Sequence, residues 1–146
     1  MTLRKKKGQD YGDEQEDIVA FLRESTANEY PAVHFAHARC DACKGRSFRV
    51  QIDDAAGVCV RTCAVCGRTH PVGDSADFLD EAELDECECP CGKETFELTV
   101  GVALYEGSED VRWIYIGLRC VACGLVGNYG DWKNEYDDYR ELLARV

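Results

Sequence analysis

The spacing of the cysteines constrains this chain more than any other feature of its sequence. Ten cysteines occur among 146 residues, and most of them stand in short pairs separated by two residues. Two thiolates on one tight turn can approach a single metal ion at about 2.3 Å, and two such turns complete a tetrahedron. The pattern therefore predicts a fold built around four-cysteine metal sites, in which the bound metal contributes folding free energy.

The first half of the chain carries a regular set of cysteines. Cys40 and Cys43 precede a candidate hairpin, and Cys63 and Cys66 follow it after an interval of 19 residues. This is the spacing of a four-cysteine zinc site. Gly67 comes directly after the second pair and permits the tight turn at which backbone amides can donate to the sulfurs. We expect these four cysteines to bind one zinc ion.

The second half carries a set that is irregular on one side. Cys120 and Cys123 form an ordinary pair, but the stretch "CECPCG" offers Cys87, Cys89 and Cys91. If Cys87 were a ligand, one of the residues expected to donate an amide to its sulfur would be a proline, which has no N–H. We therefore favour Cys89 over Cys87. The expected ligands of a second zinc ion are Cys89, Cys91, Cys120 and Cys123, with Cys87 as the alternative to Cys89.

The two cysteine sets belong to an internal repeat. Residues 61–74 align with 118–131 at an offset of 57, and 43–51 align with 91–99 at an offset of 48. Each copy contains, in order, a cysteine turn, an alternating strand, a loop, a second strand and a second cysteine turn. The second copy has nine additional residues that lengthen its hairpin, and such an extension costs little closure entropy.

One alternative wiring would join sulfurs from the two copies. Cys63 and Cys66 could share an ion with the triple-cysteine stretch, because 20 residues separate Cys66 from Cys87. The first and last cysteine pairs would then share the other ion. The in-register repeat argues against this wiring, because two copies of one unit should fold in the same way and each should close locally.

The remaining cysteine and the three histidines are not expected to bind metal. Cys59 aligns with Ile116 inside a strand, so we expect a small, buried apolar side chain. Eight cysteines already fill two sites, and we therefore expect His34, His37 and His70 to be non-ligands. His70 is predicted to lie in a loop.

Helical patterns flank the repeat. After each second cysteine turn a Gly-Asp pair precedes helix-like sequence, which makes Asp74 and Asp131 candidate N-caps. The predicted C-terminal helix, residues 131–146, has one apolar face. That face consists of Trp132, Tyr136, Tyr139 and Leu143. The stretch "EDIVAFLREST" predicts another amphipathic helix near the N-terminus, and the first dozen residues are the part of the chain least expected to be ordered.

The turns "CDAC", "CAVCG", "CPCG" and "CVACG" resemble the zinc ribbon family and its rubredoxin-like knuckles, over residues 38–74 and 87–131. The resemblance implies a small metal-stabilised α+β fold of two tandem zinc ribbons, each an antiparallel β-hairpin with a four-cysteine site, flanked by N- and C-terminal α-helices. The expected segments are an N-terminal tail and helix (1–37), ribbon 1 (38–74), an acidic connector (75–86), ribbon 2 (87–130) and a C-terminal helix (131–146).

The acidic charge is concentrated between the two copies. The chain has 17 basic and 28 acidic residues, and residues 74–94 alone carry nine acidic residues against one basic residue. A surface of this kind complements a basic protein. We therefore expect a non-enzymatic interaction module whose partner is a basic protein, as in an immunity protein, an antitoxin or a transcription-associated adaptor. A cytoplasmic location is expected because the basic run near the start of the sequence is not followed by the apolar segment of a secretory signal. The residues expected to bind the partner are Asp77, Asp80, Glu81, Glu83, Asp85 and Glu86.

Two other functions compete with this interpretation. Zinc ribbons often bind nucleic acid, and the first copy is locally basic, although the net charge of −11 repels a phosphate backbone. The basic residues of that copy are Lys44, Arg46, Arg49, Arg61 and Arg68. A rubredoxin-like electron carrier with iron in the sites is the more remote alternative. Catalysis is not expected, because a zinc site formed by four cysteines is usually closed and structural. Separately, no stretch of the sequence is long and apolar enough to predict a membrane-spanning segment.

Overall fold

The computed structural model describes residues 3–134 and 137–146. The protein is small and mostly antiparallel β. The strands are β1 (Arg4–Lys6), β2 (Gln9–Tyr11), β3 (His34–His37), β4 (Phe48–Asp53), β5 (Val58–Cys63), β6 (Thr69–Pro71), β7 (Asp85–Glu86), β8 (Phe96–Leu104), β9 (Val111–Cys120) and β10 (Leu125–Lys133). The helices are α1 (Glu16–Ser25), α2 (Tyr139–Leu143) and a short 3-10 helix (Ser75–Glu81).

One sheet joins strands from both copies of the repeat, in the order β1-β2-β10-β9-β8-β4-β5-β6. In addition, β3 pairs with β8 and β7 pairs with β4. The copies meet where Phe48 of β4 pairs with Phe96 of β8, and both side chains are fully buried. The alternating apolar residues of β4 and β8 face one shared core, which explains why the two strands can lie side by side.

The N-terminal residues form a hairpin, which the sequence patterns did not predict. Strands β1 and β2 pair through a turn in which Lys7 and Gly8 have φ angles of 54° and 78°. Two consecutive positive φ angles are typical of the two-residue turns whose twist matches paired strands. Tyr11 of β2 then pairs with Leu125 of β10, so the hairpin extends the sheet.

Helix α1 lies on one face of the sheet because two glycines make room for it. Ile18 and Leu22 of α1 are fully buried. A Cβ at Gly117 of β9 would overlap Ile18 Cγ2, and a Cβ at Gly101 of β8 would lie 3.1 Å from Leu22 Cδ1. No helix in the described ranges, 3–134 and 137–146, is both long and apolar enough to cross a membrane.

The prediction of a C-terminal helix over residues 131–146 is wrong for residues 131–133, which belong to a strand. Strand β10 continues through Asp131 and Trp132, and only Tyr139–Leu143 is helical. Asp131 is therefore not an N-cap; its carboxylate accepts hydrogen bonds from side chains on its own sheet. Asp138 caps α2 instead, because its carboxylate accepts from the Arg140 amide. Tyr136 lies outside the described residues.

Two smaller expectations are also corrected. Asp74 directly precedes the 3-10 helix, but its side chain makes no capping hydrogen bond there. Its carboxylate instead accepts from the side-chain amide of Asn134, 60 residues further along the chain. His70 lies in strand β6 rather than in a loop, and its Nε2 hydrogen-bonds the Arg145 carbonyl oxygen at 2.7 Å.

Candidate metal centres

Two groups of four sulfurs come together in the structure, one in each copy of the repeat. Within each group the Sγ atoms all lie within 4.8 Å of one another. The groups are Cys40, Cys43, Cys63 and Cys66, and Cys89, Cys91, Cys120 and Cys123. Each copy closes its own group, so the alternative wiring between copies is not the one the structure adopts.

The distances between sulfurs fit a tetrahedral metal site. The Sγ–Sγ distance is 3.5 Å for Cys40–Cys66 and for Cys43–Cys63. In the second group it is 3.5 Å from Cys89 to Cys123. Four thiolates at about 2.3 Å from one zinc ion would be separated by about 3.8 Å, whereas a disulfide requires about 2.05 Å. Both groups could therefore hold metal ions.

Backbone amides point at the sulfurs, as a bound thiolate requires. The amides of Cys43 and Ala42 donate to Cys40 and lower the pKa of its thiol to about 6. The Lys93 amide likewise lowers the pKa of Cys91. An amide that donates to sulfur stabilises the charged form, and the thiolate is the form that binds metal. Contacts with neighbouring sulfurs raise the pKa of Cys43, and burial raises the pKa of Cys89, so the amides favour the thiolate at Cys40 and Cys91 without doing so at every sulfur.

The residue that follows each cysteine turn has a positive φ angle. Lys44 (64°), Gly67 (80°), Gly92 (93°) and Gly124 (83°) hold this position. In the three regular turns its amide donates to the carbonyl of the first cysteine, four residues earlier. In the irregular turn the Gly92 amide donates to the carbonyl of Cys89, only three residues earlier. The Cys-x-Cys turn is therefore the regular turn shortened by one residue.

Cys87 lies outside the second group. It continues from β7, and its amide donates to the Val50 carbonyl at 2.8 Å. Burial, followed by the charges of Glu86 and Asp85, raises the pKa of its thiol to about 11. The Cys91 amide donates to the sulfur of Cys89. The structure thus places Cys89, and not Cys87, with the other three sulfurs.

The other candidates occupy structural positions. Cys59 is fully buried in β5, and burial raises the pKa of its thiol. His34 stacks on Tyr139 with a ring-centroid distance of 3.9 Å. His37 hydrogen-bonds Thr99 through Nδ1 at 2.7 Å and Glu16 through Nε2 at 2.8 Å. Neither histidine belongs to a sulfur group.

Gly45 is a site residue that the sequence patterns did not single out. A Cβ at this position would lie 3.2 Å from the sulfurs of both Cys43 and Cys63. Its amide also donates to the Cys43 sulfur. The sequence does show a glycine two residues after Cys43, but its closeness to Cys63 follows only from the folded hairpin.

The acidic residues of the connector are exposed, but they lie in two different structural settings. Asp85 and Glu86 form β7 on the edge of β4, and the Glu86 carboxylate accepts from Arg49 at 3.0 and 3.1 Å. The other four acidic residues lie on or just after the 3-10 helix and are exposed. Phe78 and Leu79 of that helix are each 37% exposed. The connector therefore presents carboxylates together with apolar side chains.

The basic residues of the first copy are not all free to bind a polyanion. Arg61 is 3% exposed, donates to the carbonyl oxygens of Val146 and Arg39, and lies over the Phe48 ring. Arg49 is held by Glu86, as described above. The exposed remainder is Lys44, Arg46 and Arg68.

Comparison with known proteins adds no relative. A scan against protein-family models, a search of curated proteins and a search of solved structures each give no match.

Proposed function

We propose that this chain is a non-enzymatic zinc protein in which two tandem zinc ribbons form a rigid support for an acidic surface that binds a basic protein partner. The partner-binding role would be that of an immunity protein, an antitoxin or a transcription-associated adaptor. Zinc supplies folding free energy when it is bound by four cysteines, and such a site leaves no open position for a substrate.

The observation that carries the binding proposal is the surface of the connector. Four carboxylates of this segment are exposed, those of Asp77, Asp80, Glu81 and Glu83, and so in part are the apolar side chains of Phe78 and Leu79. Carboxylates steer a basic protein toward the surface and set the rate of association. Apolar side chains at the centre of a patch contribute most of the binding free energy once water is excluded. The combination supports binding of a protein better than simple solvation.

The untagged, zinc-loaded chain is first used to capture its partner from the native host. The rate of association of the two proteins is then measured at increasing salt concentration. We expect about two zinc ions per chain, by the ligand count. Asn or Gln at Asp77, Asp80, Glu81 and Glu83 should slow association by about tenfold or more at low salt. The matched control neutralises four exposed carboxylates elsewhere, those of Glu29, Glu94, Glu106 and Glu141. Association that is equally fast in both variants would refute the electrostatic surface.

Nucleic-acid binding is the alternative, and the exposed Lys44, Arg46 and Arg68 beside the first cysteine group favour it. Phosphate contacts by these residues would make binding steeply dependent on salt. A flat titration against single- and double-stranded DNA and RNA at low salt would remove this alternative. The electron-carrier alternative requires iron, which would colour the purified protein red.

A further inference from the structure

Val65 is the most exposed of the large apolar side chains in the described ranges, 3–134 and 137–146. It lies on the second cysteine turn of the first group and is 73% exposed. A Cβ at Gly45 would lie 3.5 Å from Val65 Cγ2, so this side chain adjoins the first turn of the same group. The two turns together form one outer surface, which we call the first tip (residues 39–46 and 63–68).

The first tip is basic. Its exposed basic side chains are those of Arg39, Lys44, Arg46 and Arg68, and Asp41 supplies its single carboxylate. None of these four basic residues forms an ion pair with any residue that the structure describes. Four thiolates and one divalent zinc ion would add a net charge of about −2, which reduces the basic excess without reversing it.

The corresponding surface of the second cysteine group is not basic. Val121 is exposed there as well, at 41%, but the exposed charged residues of those two turns are Glu88, Lys93 and Glu94. A four-cysteine group therefore forms without basic neighbours, and the cations of the first tip need another explanation. An exposed apolar side chain on a surface of one charge sign suits contact with a protein surface of the opposite sign.

The connector of the same sequence offers the complement of the first tip. Phe78 and Leu79 of the 3-10 helix are each 37% exposed. The exposed carboxylates of this segment are those of Asp77, Asp80, Glu81 and Glu83. A nucleic-acid phosphate would match the cations of the tip but would leave Val65 without an apolar contact, whereas the connector matches both.

The first tip and the connector of one chain lie too far apart to touch, because they are at opposite ends of the β4–β5 hairpin. The connector lies at the turn of this hairpin, where the Glu83 amide donates to Asp53 Oδ2 at 2.9 Å and the Cys59 amide donates to Ser75 Oγ at 2.8 Å. The first tip lies at the other end, where β5 ends at Cys63. Strand β5 spans about 17 Å at about 3.4 Å per residue step, so a second copy must supply the connector.

We propose that two copies of the chain form a twofold dimer in which the first tip of each copy binds the connector of the other. Antiparallel placement of the two β4–β5 hairpins brings both tips to both connectors, so the assembly closes with two copies. Val65 then packs against Phe78 and Leu79, and the cations of the tip meet the carboxylates of the connector. The proposal goes beyond the proposed function but uses the same connector, so a basic partner must displace the second copy.

The first test measures the mass of the full zinc-loaded chain by sedimentation equilibrium at several protein and salt concentrations. We expect twice the 16.3 kDa of one chain at about 0.05 M salt and a shift toward the monomer at about 0.5 M, where surface charges are screened. A monomer at every protein concentration in low salt overturns the proposal.

An exchange of charge between copies identifies the contact. The tip variant carries Lys44→Glu, Arg46→Glu and Arg68→Glu, and the connector variant carries Asp77→Lys, Asp80→Lys and Glu81→Lys; all six positions are exposed. Each variant alone should be monomeric, because like charges then face each other. An equimolar mixture should dimerise, because every contact again joins opposite charges. A dimer of either variant alone, or a mixture of zinc-loaded variants that stays monomeric, overturns the proposal.

Val65→Ser tests the apolar part of the contact without a change of charge. It should weaken dimerisation about tenfold, as expected for an apolar side chain at the centre of an interface. Val121→Ser, the matched change on a cysteine turn of the second group, should leave dimerisation unchanged. Equal dimerisation constants for these two variants overturn the proposal.

The dimer and the proposed partner binding fail separately. If the mixed variants dimerise but the captured partner associates equally fast with the connector variant, the dimer stands and the electrostatic partner surface is refuted. If the wild-type chain is monomeric in low salt but connector neutralisation slows the partner, the partner surface stands and the dimer is refuted. Saturable binding of single-stranded DNA by a monomeric chain, lost in the tip variant, would assign the tip to nucleic acid and overturn the proposal.

Discussion

Lys44 has a φ angle of 64° at the position where Gly67, Gly92 and Gly124 stand in the other three cysteine turns. The left-handed region costs a residue with a Cβ roughly 1–2 kcal/mol, and glycine adopts it freely. We expect Lys44→Gly to raise the free energy of unfolding of the zinc-loaded protein by about 1 kcal/mol, measured in guanidinium chloride. Gly67→Ala, the converse change, should lower it by a similar amount.

Lys44→Ala serves as the control for loss of the ammonium, because it removes the charge and keeps the Cβ. If Lys44→Ala stabilised the protein as much as Lys44→Gly does, the gain in stability would come from loss of the lysine charge and not from the backbone conformation.

A second prediction at the residue scale separates the two cysteines that compete for one position. Cys89 lies with the second group and receives an amide hydrogen bond at its sulfur, whereas Cys87 lies outside the group. Cys89→Ser should therefore reduce bound zinc from about two ions per chain to about one, measured by elemental analysis after gel filtration. Cys87→Ser should retain both ions, and the reverse pattern would contradict the assignment.

The part of the site that can be predicted from the sequence depends on local spacing. The regular cysteine pairs recur at fixed intervals, and Pro90, which has no amide hydrogen, disfavours Cys87 as a ligand on the sequence alone. The contact of Gly45 with Cys63 and the hydrogen bond between Asn134 and Asp74 join residues that are far apart along the chain. Such contacts leave no periodic signal in the sequence.

At the scale of elements, the packing of α1 on the sheet depends on the absence of a side chain at Gly117. A methyl group there would overlap Ile18 and lie 3.1 Å from Leu22 Cδ1. Overpacking of this kind costs typically about 1–3 kcal/mol, so Gly117→Ala should destabilise the protein by about that amount in chemical denaturation. Adding Ile18→Ala should remove the overlap.

The double variant is the informative one. Gly117→Ala with Ile18→Ala should be less destabilised than the sum of the two single changes, since residues in contact do not contribute additively. If the losses of stability in the two single variants simply add in the double variant, Gly117 is required by the strand itself and not by the packing of helix α1 on it.

The elements that the sequence patterns misassign show where tertiary contacts override a local pattern. Trp132, Tyr139 and Leu143 have helical spacing, yet Trp132 lies in β10, paired with Ile114 of β9. The pairing completes the sheet, and tertiary context routinely overrides a propensity of this kind. The β1–β2 hairpin is not predicted for a different reason, which is the absence of a strand pattern in its sequence. Its strands are polar and largely exposed, so they lack the alternation that marks a strand.

At the scale of the whole molecule, the two copies share one sheet and one core. Phe48 and Phe96 meet at the seam, and Asn134 at the end of β10 hydrogen-bonds Asp74, which follows the second cysteine turn of the first copy. The core formed around this seam contains residues from both hairpins. Neither copy therefore has a complete apolar core of its own, although each closes its own sulfur group.

This arrangement predicts that the protein unfolds in one step. Because a structural zinc ion can contribute on the order of 10 kcal/mol, Cys63→Ser should lower the midpoint of thermal unfolding strongly while leaving a single calorimetric transition. Cys59→Ser changes a fully buried cysteine of the same strand that lies outside the sulfur groups, and it should cost only about 1–3 kcal/mol. Two transitions in Cys63→Ser, one at the wild-type temperature, would show that the copies fold independently despite the shared sheet.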